Sequence, residues 1–193
     1  MSSLPRTFSP LGRQLGQLLQ AHGLTVSTAE SLTGGTIASM IAQIAGSSSY
    51  FKGSVVSYAV SVKEQVLGVD VERGGVVSED TARQMAEGVA RLCQTDCAVA
   101  TTGIAGPGGA EPGKPVGTVC IAALVSPSNL SNPSNPSNPS NSSNPSNLSN
   151  PSPSSPSLVS RTYHFEGDRE SVILQSADAA LQLLIETLHE NFK

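Results

Sequence analysis

The chain has 193 residues, which suits one domain, and a formal net charge of −4 with only 11 lysines and arginines scattered along it. This distribution argues against nucleic acid as a partner, and no apolar run reaches the roughly 20 residues needed to cross a membrane. Cys93, Cys97 and Cys120 lack metal-ligand spacing and the N-terminus does not resemble a secretory signal, so we expect a cytoplasmic protein with free thiols.

Hydrophobic periodicity predicts alternating helices and strands in the first part of the chain. Leucines at helical spacing predict a first helix over about Pro10–His22, ended by Gly23. A short strand is predicted over Leu24–Thr28, and a second helix from Gly35 to about Ala45. The β-branched and aromatic residues of Ser54–Tyr58 predict the next strand.

The same alternation continues in the second part. Ser78, followed by two acidic residues, predicts a helix start, and the small apolar stretch Cys97–Thr101 predicts a strand buried on both faces. Two longer strands, Val116–Val125 and Leu158–Phe165, are predicted as a hairpin, followed by a closing helix from Asp168 to about Glu190. The sequence therefore predicts an α/β fold: a single layered domain with a mixed, mostly parallel sheet flanked by helices.

Residues 126–157 separate the last two strands and are built almost entirely from Ser, Asn and Pro. A segment of this composition cannot bury enough apolar surface to offset its ordering entropy. We therefore predict a disordered insertion at the tip of the hairpin, within a single domain that spans residues 1–193.

The stretch "TAESLTGGT" joins the first predicted strand to the second helix. Ser31 lies at the tip of this corner, and the amides of Gly34 and Gly35 at a helix start favour an anion or a developing oxyanion. Glu30 could orient its neighbours or a substrate hydroxyl. The alternative is that Ser31 and Thr33 only cap the helix, which is the commoner role of such residues.

A nucleophilic serine needs a base. Of the three histidines, His22 closes a helix, His164 occupies an ordinary strand position, and His189 lies near the C-terminus. Lys63 is the remaining candidate, because a desolvated lysine loses its proton more readily. Lys63 follows a strand that ends at Tyr58. Both Lys63 and Tyr58 should therefore emerge on the same side of the sheet as the other functional loops. The alternative for Lys63 is a solvated lysine at the start of a helix.

The glycine-rich loop in "TTGIAGPGGAEPGKPVGTV" is suited to holding a phosphate or carboxylate with its backbone N–H groups. Gly108, Gly113 and Lys114 match the spacing of a P-loop. However, Pro115 stands where Ser or Thr should bind magnesium, and a strand follows in place of a helix. These departures exclude a nucleoside triphosphatase.

The stretch "FEGDRESV" begins the closing helix. Asp168 can cap it, whereas Arg169 in its first turn opposes the helix dipole. A guanidinium in this unfavourable position is suited to binding a phosphate. An ion pair with Glu166 or Glu170 is the alternative.

Six motifs stand in order along the chain: "TAESLTGG", "AGSSSYFKGSVVSYAVSVK", "GGVVSEDTA", "GIAGPGG", "KPVGTV" and "GDRESV". Together they closely resemble the CinA C-terminal domain family, the nicotinamide mononucleotide deamidases, over roughly Gly12–His189. The resemblance implies hydrolysis of the carboxamide of nicotinamide mononucleotide to nicotinic acid mononucleotide and ammonia, without metal or other cofactor.

The resemblance also implies roles for individual residues. Ser31 would be the nucleophile and Lys63 its base, with Tyr58 supporting the lysine or the serine proton. Thr102 would contact the substrate or the oxyanion, and Arg169 would bind the phosphate. The further substrate-binding residues expected from these motifs are Glu30, Gly34, Gly35, Gly103 and Gly106.

The sequence departs from the family pattern at the insertion and at Ile173 and Leu174, where many relatives carry further arginine. Two hypotheses from different classes therefore remain. The first is an amidohydrolase that acts on nicotinamide mononucleotide, which we expect to be a homo-oligomer. The second is a non-catalytic nucleotide-binding or regulatory module that keeps the pocket. The intact Ser31, Tyr58 and Lys63 favour the first.

Overall fold

The computed structural model describes residues 9–127 and 156–193. Helices α1 to α5 span Pro10–His22, Thr36–Ala42, Val60–Leu67, Glu79–Cys93 and Arg169–Asn191. Strands β1 to β5 span Val26–Glu30, Phe51–Val56, Cys97–Gly103, Thr118–Val125 and Ser157–His164. None of the described helices combines the length and apolar character that crossing a bilayer requires.

The five strands form one sheet in the order β2-β1-β3-β4-β5. Strand β1 pairs in parallel with β2 and β3, whereas β4 pairs antiparallel with β3 and β5. Four strands therefore run in one direction and only β4 runs against them. This arrangement confirms the predicted mixed sheet with flanking helices and the predicted late hairpin.

Helices cover both faces of the sheet, so its central strands are buried on both sides. Along β4, Val119 and Ile121 pack in the core formed with α1, α2 and α5, whereas Cys120 and Ala122 pack in the core formed with α3 and α4. This alternation follows from the two-residue period of a strand. The uninterrupted apolar sequence of β4 is the pattern expected of a strand without a solvent face.

The local sequence signals locate α1 and α4 accurately. Helix α1 has the predicted bounds, with Ser9 accepting a hydrogen bond from the Gly12 amide and Gly23 ending it in the left-handed conformation. Helix α4 begins after Ser78, whose side chain accepts from the Thr81 amide. These cap residues satisfy helix-end groups that would otherwise lack partners.

One helix, α3, was missed by the sequence analysis. The predicted strand ends at Tyr58, and no helix is predicted over Val60–Leu67, which includes three valines. A helix start is considered only as the alternative for Lys63. The observed strand β2 ends at Val56, so Lys63 lies inside a helix and Tyr58 in the turn before it. Tertiary packing overrides the weak helix propensity of valine here: Leu67 is buried against α4.

The close approach of α4 to α3 depends on a glycine. A Cβ atom at Gly88 would clash with the Leu67 carbonyl oxygen. A larger residue at Gly88 would therefore push α3 outward, and with it Lys63.

The predicted insertion lies largely outside the described residues, but the strands on either side of it are in register. Val125 at the end of β4 pairs with Ser157 at the start of β5. The chain thus leaves and re-enters the sheet at adjacent points, and a short connection can close the hairpin.

We therefore expect that replacing residues 128–155 with three glycines leaves the fold and the activity unchanged. The strand pairing supplies the register, and the entropy of closing a loop changes by only about 0.6 kcal/mol per doubling of its length. Thermal unfolding and product formation by the shortened and parent proteins test this. A fall of several degrees in melting temperature, or a large loss of activity, would show that the segment packs on the domain.

Candidate active site

The residues predicted to carry chemistry meet at the carboxyl ends of the parallel strands. Ser31 directly follows β1, Tyr58 follows β2, and Thr102 lies at the end of β3. These strands are neighbours in the sheet, so their ends open at the same edge, where α/β folds commonly bind ligands. A cavity of about 270 Å³ lies there, and Arg169 at the start of α5 also lines it.

The central contact of the cavity joins Lys63 to Ser31. The Lys63 Nζ atom lies 2.9 Å from the Ser31 Oγ atom, at hydrogen-bond distance. Helix α3 brings the lysine to the serine from 32 residues away in sequence. This is the relation of nucleophile and base that covalent catalysis by a hydroxyl requires.

The amine of Lys63 is held by backbone carbonyls and not by a carboxylate. It lies 2.5 Å from the Ser57 oxygen and 3.5 Å from the Tyr58 oxygen. The side chain is fully buried, and burial lowers the pKa of Lys63 because the charged form loses its hydration. No ion pair of the described residues involves this lysine, so no acid counteracts that effect.

Of the two roles considered for Glu30, its contacts match the orientation of neighbouring groups and not contact with a substrate. Its buried carboxylate accepts hydrogen bonds from the amides of Gly35, Ile37 and Ala38, at 3.0, 3.1 and 2.8 Å. These are the free donors at the start of α2, where a negative charge is also stabilised by the helix dipole. Glu30 does not line the cavity, and its carboxylate fixes the corner that presents Ser31.

The two glycines of the corner also lie outside the cavity. Gly34 donates its amide to the Ser31 carbonyl, and Gly35 donates to Glu30. Both line a separate groove between α1, α2 and α5. The backbone of Gly35 has a φ of 101°, a conformation that side chains rarely adopt. Their role in this structure is to turn the chain, and their amides are not directed to the cavity.

The remaining residues predicted for the substrate line the cavity together. Thr102 is buried, and its hydroxyl donates to the Val76 carbonyl at 2.8 Å. Gly103 and Gly106 form the cavity wall on the side of the glycine-rich loop. Seven of the predicted residues thus come together: Ser31, Tyr58, Lys63, Thr102, Gly103, Gly106 and Arg169.

Tyr58 and Arg169 meet at the exposed side of the cavity. The Arg169 guanidinium donates to the Tyr58 hydroxyl and to the Gly106 carbonyl, each at 2.7 Å. It forms no ion pair with Glu166 or Glu170, the alternative left open by the sequence. Tyr58 is 60% exposed, and its backbone carbonyl is the group that approaches Lys63.

Several groups of the site were not predicted from the sequence. Lys63 is held by the backbone carbonyl of Ser57, a group that every residue type has, so the sequence does not identify it. Leu32 and Ala105 line the cavity because of the path of the chain, and their residue types do not indicate this position. Ile173 and Leu174 lie away from the cavity. Among the described residues, no group of His, Cys, Asp and Glu side chains is arranged to hold a metal ion.

Known proteins are similar to the chain in sequence and in fold. A family model described as the CinA C-terminal domain matches residues 9–138. A CinA-like protein of Chloroherpeton thalassium is 47% identical over 123 residues, 62% of this chain and 29% of that protein. Another, of Flavobacterium psychrophilum, is 37% identical over 181 residues, 92% of this chain and 36% of that protein. The chain thus spans about a third of the length of these curated relatives.

Two crystal structures are similar over nearly the whole chain. One is the competence/damage inducible protein CihA from Agrobacterium tumefaciens, 32% identical with a TM-score of 0.75, covering 98% of this chain and 99% of that one. The other is a CinA superfamily protein from Klebsiella pneumoniae, 27% identical with a TM-score of 0.76, covering 96% and 99%.

Proposed function

The chain belongs to the CinA C-terminal domain family, and we propose that it hydrolyses the carboxamide of nicotinamide mononucleotide to nicotinic acid mononucleotide and ammonia. The observation that carries the proposal is the 2.9 Å contact between the buried Lys63 amine and the Ser31 hydroxyl. The substrate is the one implied by the family motifs. The geometry supports the reaction class, which is acyl transfer through a serine.

The contacts of Lys63 suit an uncharged amine. Such an amine has two N–H groups and one lone pair. The two N–H groups can be donated to the carbonyls of Ser57 and Tyr58, which leaves the lone pair for the Ser31 hydroxyl proton. In the first step Lys63 takes this proton while the Ser31 oxygen attacks the carboxamide carbon. The resulting ammonium returns a proton to the leaving nitrogen, the C–N bond breaks, and ammonia departs.

The acyl-enzyme ester is then hydrolysed by water, with Lys63 again accepting a proton and returning it to the Ser31 oxygen. The tetrahedral intermediates need donors for their oxyanion. Leu32, Ala105 and Gly106 line the cavity, and their amides donate no hydrogen bond within residues 9–127 and 156–193. We assign the oxyanion to this set, in place of the glycine amides of the corner.

Thr102 is suited to recognise the amide group of the substrate. Its hydroxyl hydrogen is committed to the Val76 carbonyl, so its oxygen can only accept a further hydrogen bond. A carboxamide nitrogen has hydrogens to donate, whereas the carboxylate of the product has none. Thr102 would therefore favour binding of the amide over the acid.

The direct test is ammonia release from nicotinamide mononucleotide by the purified chain, with nicotinic acid mononucleotide identified as the second product. We expect turnover without added metal. Binding of the mononucleotide without ammonia release would replace this proposal with the non-catalytic nucleotide-binding module.

The pH dependence of the rate follows from the lowered pKa of Lys63. Only the neutral amine can accept the serine proton, so kcat/KM should rise with pH through this pKa and reach a plateau above it. The midpoint should lie below the ordinary value for lysine, because burial disfavours the charged form. A rate that is flat or falls with pH across this region would contradict the role of Lys63 as base.

The same shift has a consequence for stability. The pKa of Lys63 is lower in the folded chain than in the unfolded chain, so the unfolded chain binds more protons between the two values. The free energy of unfolding should therefore rise with pH across this window and be lowest below it. Denaturant unfolding of the parent and of Lys63→Met, compared at several pH values, measures this contribution, which the variant lacks.

A further inference from the structure

We propose that the Tyr58 hydroxyl and the Arg169 guanidinium form one clamp for the phosphate of the substrate, and that the Tyr58 hydroxyl takes no part in proton transfer between Ser31 and Lys63. The inference rests on the proposed function for the identity of the anion. It assigns Tyr58 as a residue that determines specificity, in contrast to the supporting catalytic role expected from the family resemblance.

The backbone and side chain of Tyr58 point to different parts of the site. Its carbonyl is 3.5 Å from the Lys63 amine, whereas its hydroxyl accepts a hydrogen bond from Arg169 at 2.7 Å. That bond is the one the hydroxyl forms within the described residues. With 60% of the residue exposed, the ring stands at the open side of the cavity, away from the buried dyad.

Arg169 is held in place but keeps donors for a ligand. Of the five N–H groups of a guanidinium, one is used by the Tyr58 hydroxyl and one by the Gly106 carbonyl. Neither acceptor neutralises its charge, and no carboxylate of residues 9–127 or 156–193 pairs with it. Three donors and a full positive charge therefore remain for an anion.

The bond from Arg169 also determines what Tyr58 can do. Because its oxygen accepts from the guanidinium, the O–H hydrogen remains available to a second acceptor. A phosphate oxygen beside Arg169 is such an acceptor and would receive hydrogen bonds from both residues. Tyr58 and Arg169 are 111 positions apart in sequence, so it is the fold that brings them into contact.

Steady-state kinetics of Tyr58→Phe with two substrates test the clamp. With nicotinamide mononucleotide we expect KM to rise by about 10-fold or more, with kcat within about 3-fold of the parent, since a hydrogen bond to a charged group is lost. With nicotinamide riboside, which has no phosphate, Tyr58→Phe should match the parent. A fall in kcat with both substrates, or an unchanged KM for the mononucleotide, would overturn the proposal.

The chain offers a matched control in Tyr50→Phe. Tyr50 is buried in the core on the α1 side of the sheet. Its hydroxyl has no hydrogen-bond partner among residues 9–127 and 156–193, so the same change there should leave both KM values unaltered. The double variant Tyr58→Phe, Arg169→Gln should have the same KM for the mononucleotide as Arg169→Gln alone, because the two side chains act as a unit. Additive losses would show independent contacts and contradict the clamp.

A binding measurement separates this inference from the proposed function. Ribose 5-phosphate is titrated into the parent, Tyr58→Phe and Tyr50→Phe by calorimetry, where no turnover is needed. We expect only Tyr58→Phe to bind about 10-fold more weakly or worse. Equal binding by all three proteins, or none by the parent, overturns the clamp. Tyr58-dependent binding by a chain that releases no ammonia from the mononucleotide would uphold the clamp and refute the deamidase.

Discussion

Ser31→Ala should reduce ammonia release from nicotinamide mononucleotide by about 10³-fold or more, because it removes the nucleophile while leaving the rest of the cavity in place. The corner itself should persist, since it is fixed by the Glu30 carboxylate and by backbone hydrogen bonds, none of which uses the serine hydroxyl. The affinity for the mononucleotide should change by less than about 5-fold, the effect of losing one neutral hydrogen bond. Initial rates and calorimetric titration give the two values.

Ser61→Ala is the matched control for this substitution. Ser61 lies on α3 and is exposed, so the same change there should alter neither rate nor affinity. If Ser31→Ala kept more than a tenth of the parent activity, a serine ester could not be the intermediate. Water would then have to attack the carboxamide directly.

Lys63→Arg should be nearly as inactive as Lys63→Met, with losses again of about 10³-fold, although the arginine keeps the positive charge. A guanidinium does not give up its proton at any ordinary pH, so it cannot accept one from Ser31. The larger group also has to fit where Lys63 is fully buried and held by the Ser57 carbonyl. Circular dichroism and thermal unfolding must accompany the rates, to show that the variants fold.

Lys52→Arg is the corresponding control, because Lys52 is exposed on β2 and away from the cavity. It should keep the parent rate. A folded and active Lys63→Arg would mean that residue 63 contributes only charge, and another group would have to act as the base. Lys63→Met that regained activity with added alkylamines would support the role of a neutral amine directly.

Much of the fold could be predicted because its signals are local in sequence. The leucine spacing and Gly23 predicted the bounds of α1, and Ser78 predicted the start of α4. The small apolar stretch Cys97–Thr101 indicated a strand covered on both faces, and β3 is buried in this way. Such signals depend on residues a few positions apart in sequence, because the periodicity of helices and strands and the capping of helices act over that distance.

The pairing of functional groups was decided by the tertiary structure. Which amine reaches Ser31 depends on α3, a helix that its valine-rich sequence does not indicate, and on the packing of that helix against α4 at Gly88. The same holds for Glu30, whose position next to a nucleophile suggested contact with the substrate. Its side chain turns instead to the amides of α2, because a buried carboxylate needs donors and the helix start supplies them.

The sequence by itself identified Ser31 as a candidate nucleophile, from its place at a strand end before two glycines and from the family motif that contains it. Only the tertiary structure decided what Tyr58 contacts. A strand-end tyrosine can turn its hydroxyl toward the dyad or away from it, and the sequence is the same in both cases. The choice depends on the start of α5, which brings Arg169 to the tyrosine from 111 residues away. Contacts of this kind depend on sheet order and helix placement, which no local pattern encodes.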